Sequence, residues 1–296
     1  MATLAEKVTP VKVPPPAFSD IAKASNDLIN KDFYHTAAAA LEVKLKAPNG
    51  VNFTAKGTSP HGGPVSSSLE GKKALSNGIS ITQSWNTANL LATKVELNDT
   101  ITSGLKAEVL SNFNPATGNQ GQKVNLHFKQ GLLHTRFFGD VKANGALSAT
   151  ADAVVSHEGF LVGGEVGYDV QKAAITKYSA AVGYTTPVYN AAITATNSLN
   201  IFTASYYQKV NSAVEAGAKA TWDAKQGSAV GLELAAKYKV DSASFAKAKI
   251  NNLGIASLAY NTKVNSGLTF GVGGSFDTQK LNESGHKLGT SFTFEG

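Results

Sequence analysis

The chain has 296 residues, a net charge of +6, 28 glycines, a mean hydropathy of -0.10 and only 16% charged side chains. Zero cysteines exclude disulfide frameworks, Cys-ligated zinc and thiol nucleophiles. No apolar run reaches the roughly 18 residues that a membrane helix needs, and so modest a charge suits an anion-attracting surface or pore better than a nucleic-acid partner.

Residues 1–17 lack the apolar core of a secretory signal and the Arg-rich amphipathic character of a matrix-targeting presequence. They read as a flexible tail ending in Pro14-Pro15-Pro16. Residues 18–31 read as an amphipathic helix: Phe18, Ile21, Ala22, Leu28 and Ile29 share one stripe, and Ser19 and Asp20 are expected to cap its start. Asp27 and Lys31 stand in the favourable i, i+4 order. Two roles are open to such a helix, packing on a barrel wall or acting as a gate or charge ring inside it.

From residue 35 to 296 one unit repeats, about ten residues alternating apolar with polar and then a turn rich in Gly, Asn, Asp or Pro. Leu41, Val43 and Leu45 alternate with Glu42, Lys44 and Lys46; Val124, Leu126 and Phe128 alternate with Lys123, Asn125, His127 and Lys129. In Val214 to Trp222 the even positions are apolar, while Glu215, Gly217, Lys219 and Thr221 take the other face. Ten tilted residues match the hydrocarbon thickness of a bilayer, and only a closed barrel leaves no unpaired strand edge in lipid. The fold class is therefore all-β, a transmembrane β-barrel with the helix in its lumen. A soluble β-sandwich is the rival architecture, and it would bury the apolar parity against a second sheet. Counting segments between turns gives about 19 strands, to within one or two, and an odd count would force the first and last to pair in parallel; the cylinder would be roughly 35–40 Å across, too wide for side chains to fill. A register slip would put lysines into lipid at about 2–4 kcal/mol each.

Particular residues then carry a resemblance. Tyr238-Lys239-Val240-Asp241-Ser242-Ala243-Ser244, running through Ala248-Lys249-Ile250-Asn251-Asn252 to Tyr260, fits the eukaryotic porin signature. The Gly104-Leu105-Lys106 triplet, Trp85-Asn86-Thr87 and Phe18-Ser19-Asp20-Ile21-Ala22-Lys23 also resemble the mitochondrial voltage-dependent anion channels. Tyr168 to Ile175 and Ser275 to Lys280 are worded most like fungal members, and the resemblance covers residues 17–296. It implies a voltage-gated, multi-pass channel of the mitochondrial outer membrane, passing metabolites and closing to a less anion-selective state. A protein-import pore of the same architecture is the alternative within this class. Lys287, Gly289, Phe292 and Phe294 have the polar-x-Gly-x-x-apolar-x-apolar spacing of the β-signal read by the outer-membrane sorting machinery.

If the polar parity faces water, the lining includes Lys44, Lys94, Lys106, Lys123, Lys129, Arg136, Lys219, Lys237, Lys247 and Lys249, against Glu42, Glu96, Glu108, Asp152, Glu165, Glu215 and Glu233. This modest cationic excess, screened over about 8–10 Å, predicts graded preference for phosphate, chloride, ADP and ATP, with NADH a further solute in transit. The residues expected to contact nucleotides are Lys23 and Lys31 on the helix and Lys94, Lys106, Lys123, Lys129, Arg136 and Lys219 on the wall. The expected partners are membrane lipids and sterols, the sorting and import machinery, and further copies of the chain. Animal members resembling it carry a membrane-facing glutamate before the Trp-Asn-Thr segment; Gln83 stands here, which puts kinase docking and lipid-linked assembly in doubt. No enzyme signal competes: Gly271-Val272-Gly273-Gly274 opens no helix, and His127, His134 and His157 lack metal-site spacing, so no catalytic residue, metal or cofactor is expected.

Overall fold

Each repeat of the sequence is one strand, and the connections between them are short, two to nine residues, because a few polar residues suffice to reverse an antiparallel chain. The computed structural model describes residues 14–227 and 229–296. Of the tail read as flexible over 1–17, residues 1–13 lie outside the described residues. Then come a 3-10 turn, Phe18–Asp20, the helix α1, Lys23–Asn30, and a second 3-10 turn, Tyr34–Thr36. The strands are β1 Ala39–Lys46, β2 Val51–Ser59, β3 Ser66–Ala74, β4 Ile79–Asn86, β5 Leu91–Asn98, β6 Leu105–Asn114, β7 Asn119–Gln130, β8 Leu133–Val141, β9 Leu147–His157 and β10 Phe160–Asp169. They continue as β11 Ala174–Thr185, β12 Tyr189–Thr196, β13 Ile201–Lys209, β14 Val214–Asp223, β15 Gly231–Lys239, β16 Ser244–Asn251, β17 Ile255–Asn265, β18 Leu268–Asp277 and β19 Lys287–Glu295.

Successive strands pair antiparallel around one 19-stranded sheet, and β1 closes on β19 in parallel, with Leu41 opposite Phe292 and Val43 opposite Phe294. An odd number of up-and-down strands leaves the first and last pointing the same way, so closure has no antiparallel option. A single closed sheet has no second layer to bury its apolar face, which removes the β-sandwich reading.

The helix does not run unbroken over 18–31. Its chain turns as a 3-10 element and restarts at Lys23, and neither Ser19 nor Asp20 caps a helix start. The N-terminal segment lies against the parity that carries Gly217, Lys247 and Lys249, which identifies that parity as the lumenal one. Every Asp and Glu borne by a strand, and every strand Lys or Arg except Lys73, falls on it. The opposite parity carries exposed Leu, Val, Ile and aromatic side chains, as a lipid-facing wall requires. Its rims hold aromatic girdles: Phe160, Tyr184, Tyr189 and Tyr206 follow one another with ring centroids 4.7, 5.8 and 6.4 Å apart, and Phe202 pairs with Trp222 at the opposite rim.

Candidate functional site

Most buried apolar residues among those described fall in two small clusters, both between the N-terminal segment and the inner wall, since a cylinder this wide has no core of its own. Phe18, Ile21 and Ala22 meet Val154, Leu161, Ala181 and Ala192. Leu28 and Ile29 meet Ala235 and Tyr207. Polar anchors accompany them. The ring nitrogen Nδ1 of His134 lies 3.1 Å from the Pro15 carbonyl, Asn190 donates to the Ile21 carbonyl at 3.2 Å, and Asn261 donates to the Tyr34 hydroxyl.

Close approach is possible because glycines line the route. A Cβ at Gly163 would meet the Phe18 ring, at Gly183 the Ile21 side chain, and at Gly217 the Leu28 side chain. At Gly271 it would enter the Tyr34 ring, and at Gly289 it would strike the Tyr34 and Ala37 carbonyls. The sequence pattern assigned Gly163, Gly183, Asn190 and Asn261 no role, and it singled out Gly217, Gly271, Gly289 and His134 for other reasons than seating the N-terminal segment. Lumenal parity combined with an absent side chain is the signal that could have found them.

Most of the expected anion contacts are held in ion pairs. Asp27 Oδ2 accepts from Lys23 at 2.8 Å and from Lys31 at 2.9 Å. On the wall opposite the helix, Glu96 accepts from Lys72 (2.8 Å), Lys94 (3.2 Å), Lys106 (2.9 Å) and the Ser80 hydroxyl (2.9 Å), and Lys106 also reaches Glu108 at 2.6 Å. Lys123 meets Asp140 at 3.3 Å and Lys219 meets Glu233 at 2.6 Å. Arg136 makes a fork on Asp152, its Nε donating to both carboxylate oxygens and Nη2 to Oδ2. Lys129 has no carboxylate within 4 Å among the described residues. Because Asp27 is shared by two lysines and Glu96 by three, the clusters keep surplus positive charge. Their lysines also stay wet, with side-chain exposures of 58% at Lys31 and 39% at Lys106.

The segment's titrating groups follow their surroundings. Partial burial would raise the Asp27 carboxyl, but hydrogen bonds from Lys23 and Lys31 outweigh it and hold the group below the usual carboxylate range. Desolvation pushes the Tyr34 phenol up to about 12. The His35 imidazole is lowered by burial and then by the nearby charges of Lys249 and Lys287.

The four residues read as a sorting signal divide between the two faces of β19. Lys287 and Gly289 point inward; Phe292 and Phe294 point into lipid, with Phe292 packed on Phe270 at 5.1 Å. Gly104 also has a geometric task, since it turns with φ +83 where a Cβ would strike the Lys129 carbonyl. Gln83 is exposed on the outer face, opposite Gly71 on one neighbour and Thr93 on the other.

Comparison with protein families matches residues 14–289 to the eukaryotic porins. The chain belongs to that family. The mitochondrial outer membrane protein porin of Neurospora crassa is 59% identical, with 95% of this chain and 99% of that one covered. Its Candida albicans counterpart is 46% identical over the same shares, and the non-selective voltage-gated ion channel 1 of Saccharomyces cerevisiae is 37% identical, again over 95% and 99%. Among solved structures, a porin of Rhodopseudomonas blastica superposes with a TM-score of 0.50 at 11% identity, covering 77% of this chain and 90% of that one. At that identity the match speaks for the barrel fold alone. Within this eukaryotic porin the lumenal features divide into a lysine-rich wall and a seated N-terminal segment.

Proposed function

We propose that this eukaryotic porin is a voltage-gated channel of the mitochondrial outer membrane that passes small metabolites, with graded preference for anions such as phosphate, ADP and ATP. One observation carries the reading: nearly all strand charge faces a lumen that side chains do not fill, and its carboxylates are shared among more numerous lysines. Screening over about 8–10 Å in a wet pore turns such an excess into selectivity, with no need for a dry binding pocket. The names of the fungal relatives support both the address and the voltage gating.

Lys23, Lys31, Lys94, Lys106, Lys123, Lys129, Arg136 and Lys219 are the proposed contacts for anions in transit. The exposed members, Lys23, Lys31, Lys106, Lys123 and Lys129, serve as stepping positions, whereas Arg136 is committed to Asp152 and shapes the wall. Lys287, Gly289, Phe292 and Phe294 are the proposed sorting signal, and lipids, sterols and the sorting machinery the proposed partners. The test is single-channel recording of the refolded chain in a planar bilayer under a salt gradient. A reversal potential of anionic sign that falls on Lys23→Glu with Lys106→Glu supports the reading; a potential unmoved by both reversals removes it.

A further inference from the structure

An α-helix leaves its last carbonyls without intrahelical partners, and most helices satisfy them with a glycine turn or with water. In this porin, two lysines of the wall reach the carbonyl end of α1. Lys247 Nζ, from the inner face of β16, donates to the Lys31 carbonyl at 2.8 Å and to the Asp27 carbonyl at 3.2 Å, which also takes the Lys31 N–H at 3.1 Å, while Lys249 Nζ donates to the Ile29 carbonyl at 3.1 Å. Both ammonium groups lie over the ring of Phe33, 5.0 and 4.7 Å from its centroid, and Phe33 is itself buried. Lys247 is only 3% exposed, and its nearest carboxylate oxygen is Asp32 Oδ2 at 3.8 Å. Asp32 sits at φ +57, a left-handed conformation that a non-glycine residue adopts at a cost, immediately beyond the helix.

A buried lysine is expensive unless its donors are satisfied, and the acceptors here are helix-end carbonyls and an aromatic face. The alignment is favourable, because a helix C-terminus carries partial negative charge. α1 has eight residues, too few to persist as a helix without tertiary support. We infer that Lys247 and Lys249 are positioning residues: a two-lysine clasp on Phe33 and the carbonyl end of α1 holds the helix to the wall and so sets the open cross-section of the pore. This rests on the channel reading only for its consequence on conductance; the placement of α1 can be read without current.

The chain contains no cysteine, so a spin label on Asn30→Cys reports α1 alone, in the refolded full-length porin in lipid nanodiscs. In the unmodified background the label is immobilised. Replacing both lysines by methionine mobilises it several-fold and makes the open-channel current noisier, whereas replacing both by arginine restores the immobile spectrum. Lys237→Met is the charge control, since Lys237 lies beside Lys247 but directs its ammonium to the Phe245 ring at 4.4 Å. It removes the same lumenal charge as a single clasp substitution and leaves the label immobile. If the double methionine variant does not refold, Lys249→Met and Phe33→Leu carry the same readout. A label equally immobile without the clasp lysines, or equally freed by Lys237→Met, overturns the inference. Failure of the channel reading alone would instead show as absent current with the label response intact.

Discussion

Glu96 offers a sharp test of how the wall is held together. Its side chain is 4% exposed and takes hydrogen bonds from three ammonium groups and a serine hydroxyl, so Glu96→Gln keeps the shape and deletes the charge at the centre of the cluster. Each lysine–carboxylate contact near 3 Å has a Coulomb energy of about 1.4 kcal/mol even at the dielectric constant of water. The lysines are 32–43% exposed, however, and regain hydration when released, so each pair contributes net about 0.2–1 kcal/mol. Adding the repulsion left among Lys72, Lys94 and Lys106, and subtracting the relief of the carboxylate's own desolvation, gives a loss of about 1–3 kcal/mol. Trp85, on the strand next to that of Glu96, reports unfolding by guanidinium in lipid vesicles through its fluorescence. The lumen also gains one positive unit, so the reversal potential moves further toward anions, and molar salt shrinks both effects. Stability within about 0.5 kcal/mol of the parent, together with an unmoved reversal potential at low salt, would refute the claim that this carboxylate organises the wall.

Other consequences are as definite. Gly289→Ala forces a methyl group onto the Tyr34 and Ala37 carbonyls and is expected to destabilise the seam by about 1–3 kcal/mol while leaving β19 in register; vesicle unfolding measures it, and an unchanged midpoint would deny the close approach. Ala218→Arg on the lipid parity is expected to lower stability by about 2–4 kcal/mol, whereas Thr221→Arg on the lumenal parity of the same strand changes it by less than about 1; equal effects would break the assignment of faces. Asp27 has its folded pKa depressed, so its stabilisation of α1 is complete above the unfolded carboxylate range and is lost as pH falls through the folded value. A label on α1 should accordingly loosen below about pH 4, and Asp27→Asn should abolish that transition.

How much of this was legible in advance depends on the range of the interaction concerned. Ile79, Ile81, Gln83 and Trp85 declare their face through alternation with Ser80, Thr82 and Ser84, because a strand's period of two is a purely local property. Turns such as Asn98-Asp99 and Pro48-Asn49-Gly50 mark the strand ends for the same reason, and they bring the number of strands to within one or two of 19. The helix was legible as an apolar stripe, but its break at Ile21 and Ala22 was not, because the wall there engages the chain through Asn190 and Gly183. Lys94 and Lys106 were legible as lumenal cations. That both converge on Glu96 was not, because partners across strands depend on the register of β3 through β6.

Sequence by itself determined the solvent each side chain sees and the barrel of about 19 strands, since those properties are set by neighbours a few residues apart; the odd count and its parallel seam came with the closed sheet. Only the tertiary structure decided which lysines are neutralised, why Gly163, Gly183, Gly217, Gly271 and Gly289 must lack side chains, and where the carbonyl end of α1 rests. Those facts arise where residues as distant as Tyr34 and Gly289, or Ile29 and Lys249, are brought within a few ångströms. That proximity comes from closing the sheet around the N-terminal segment, which no local pattern encodes.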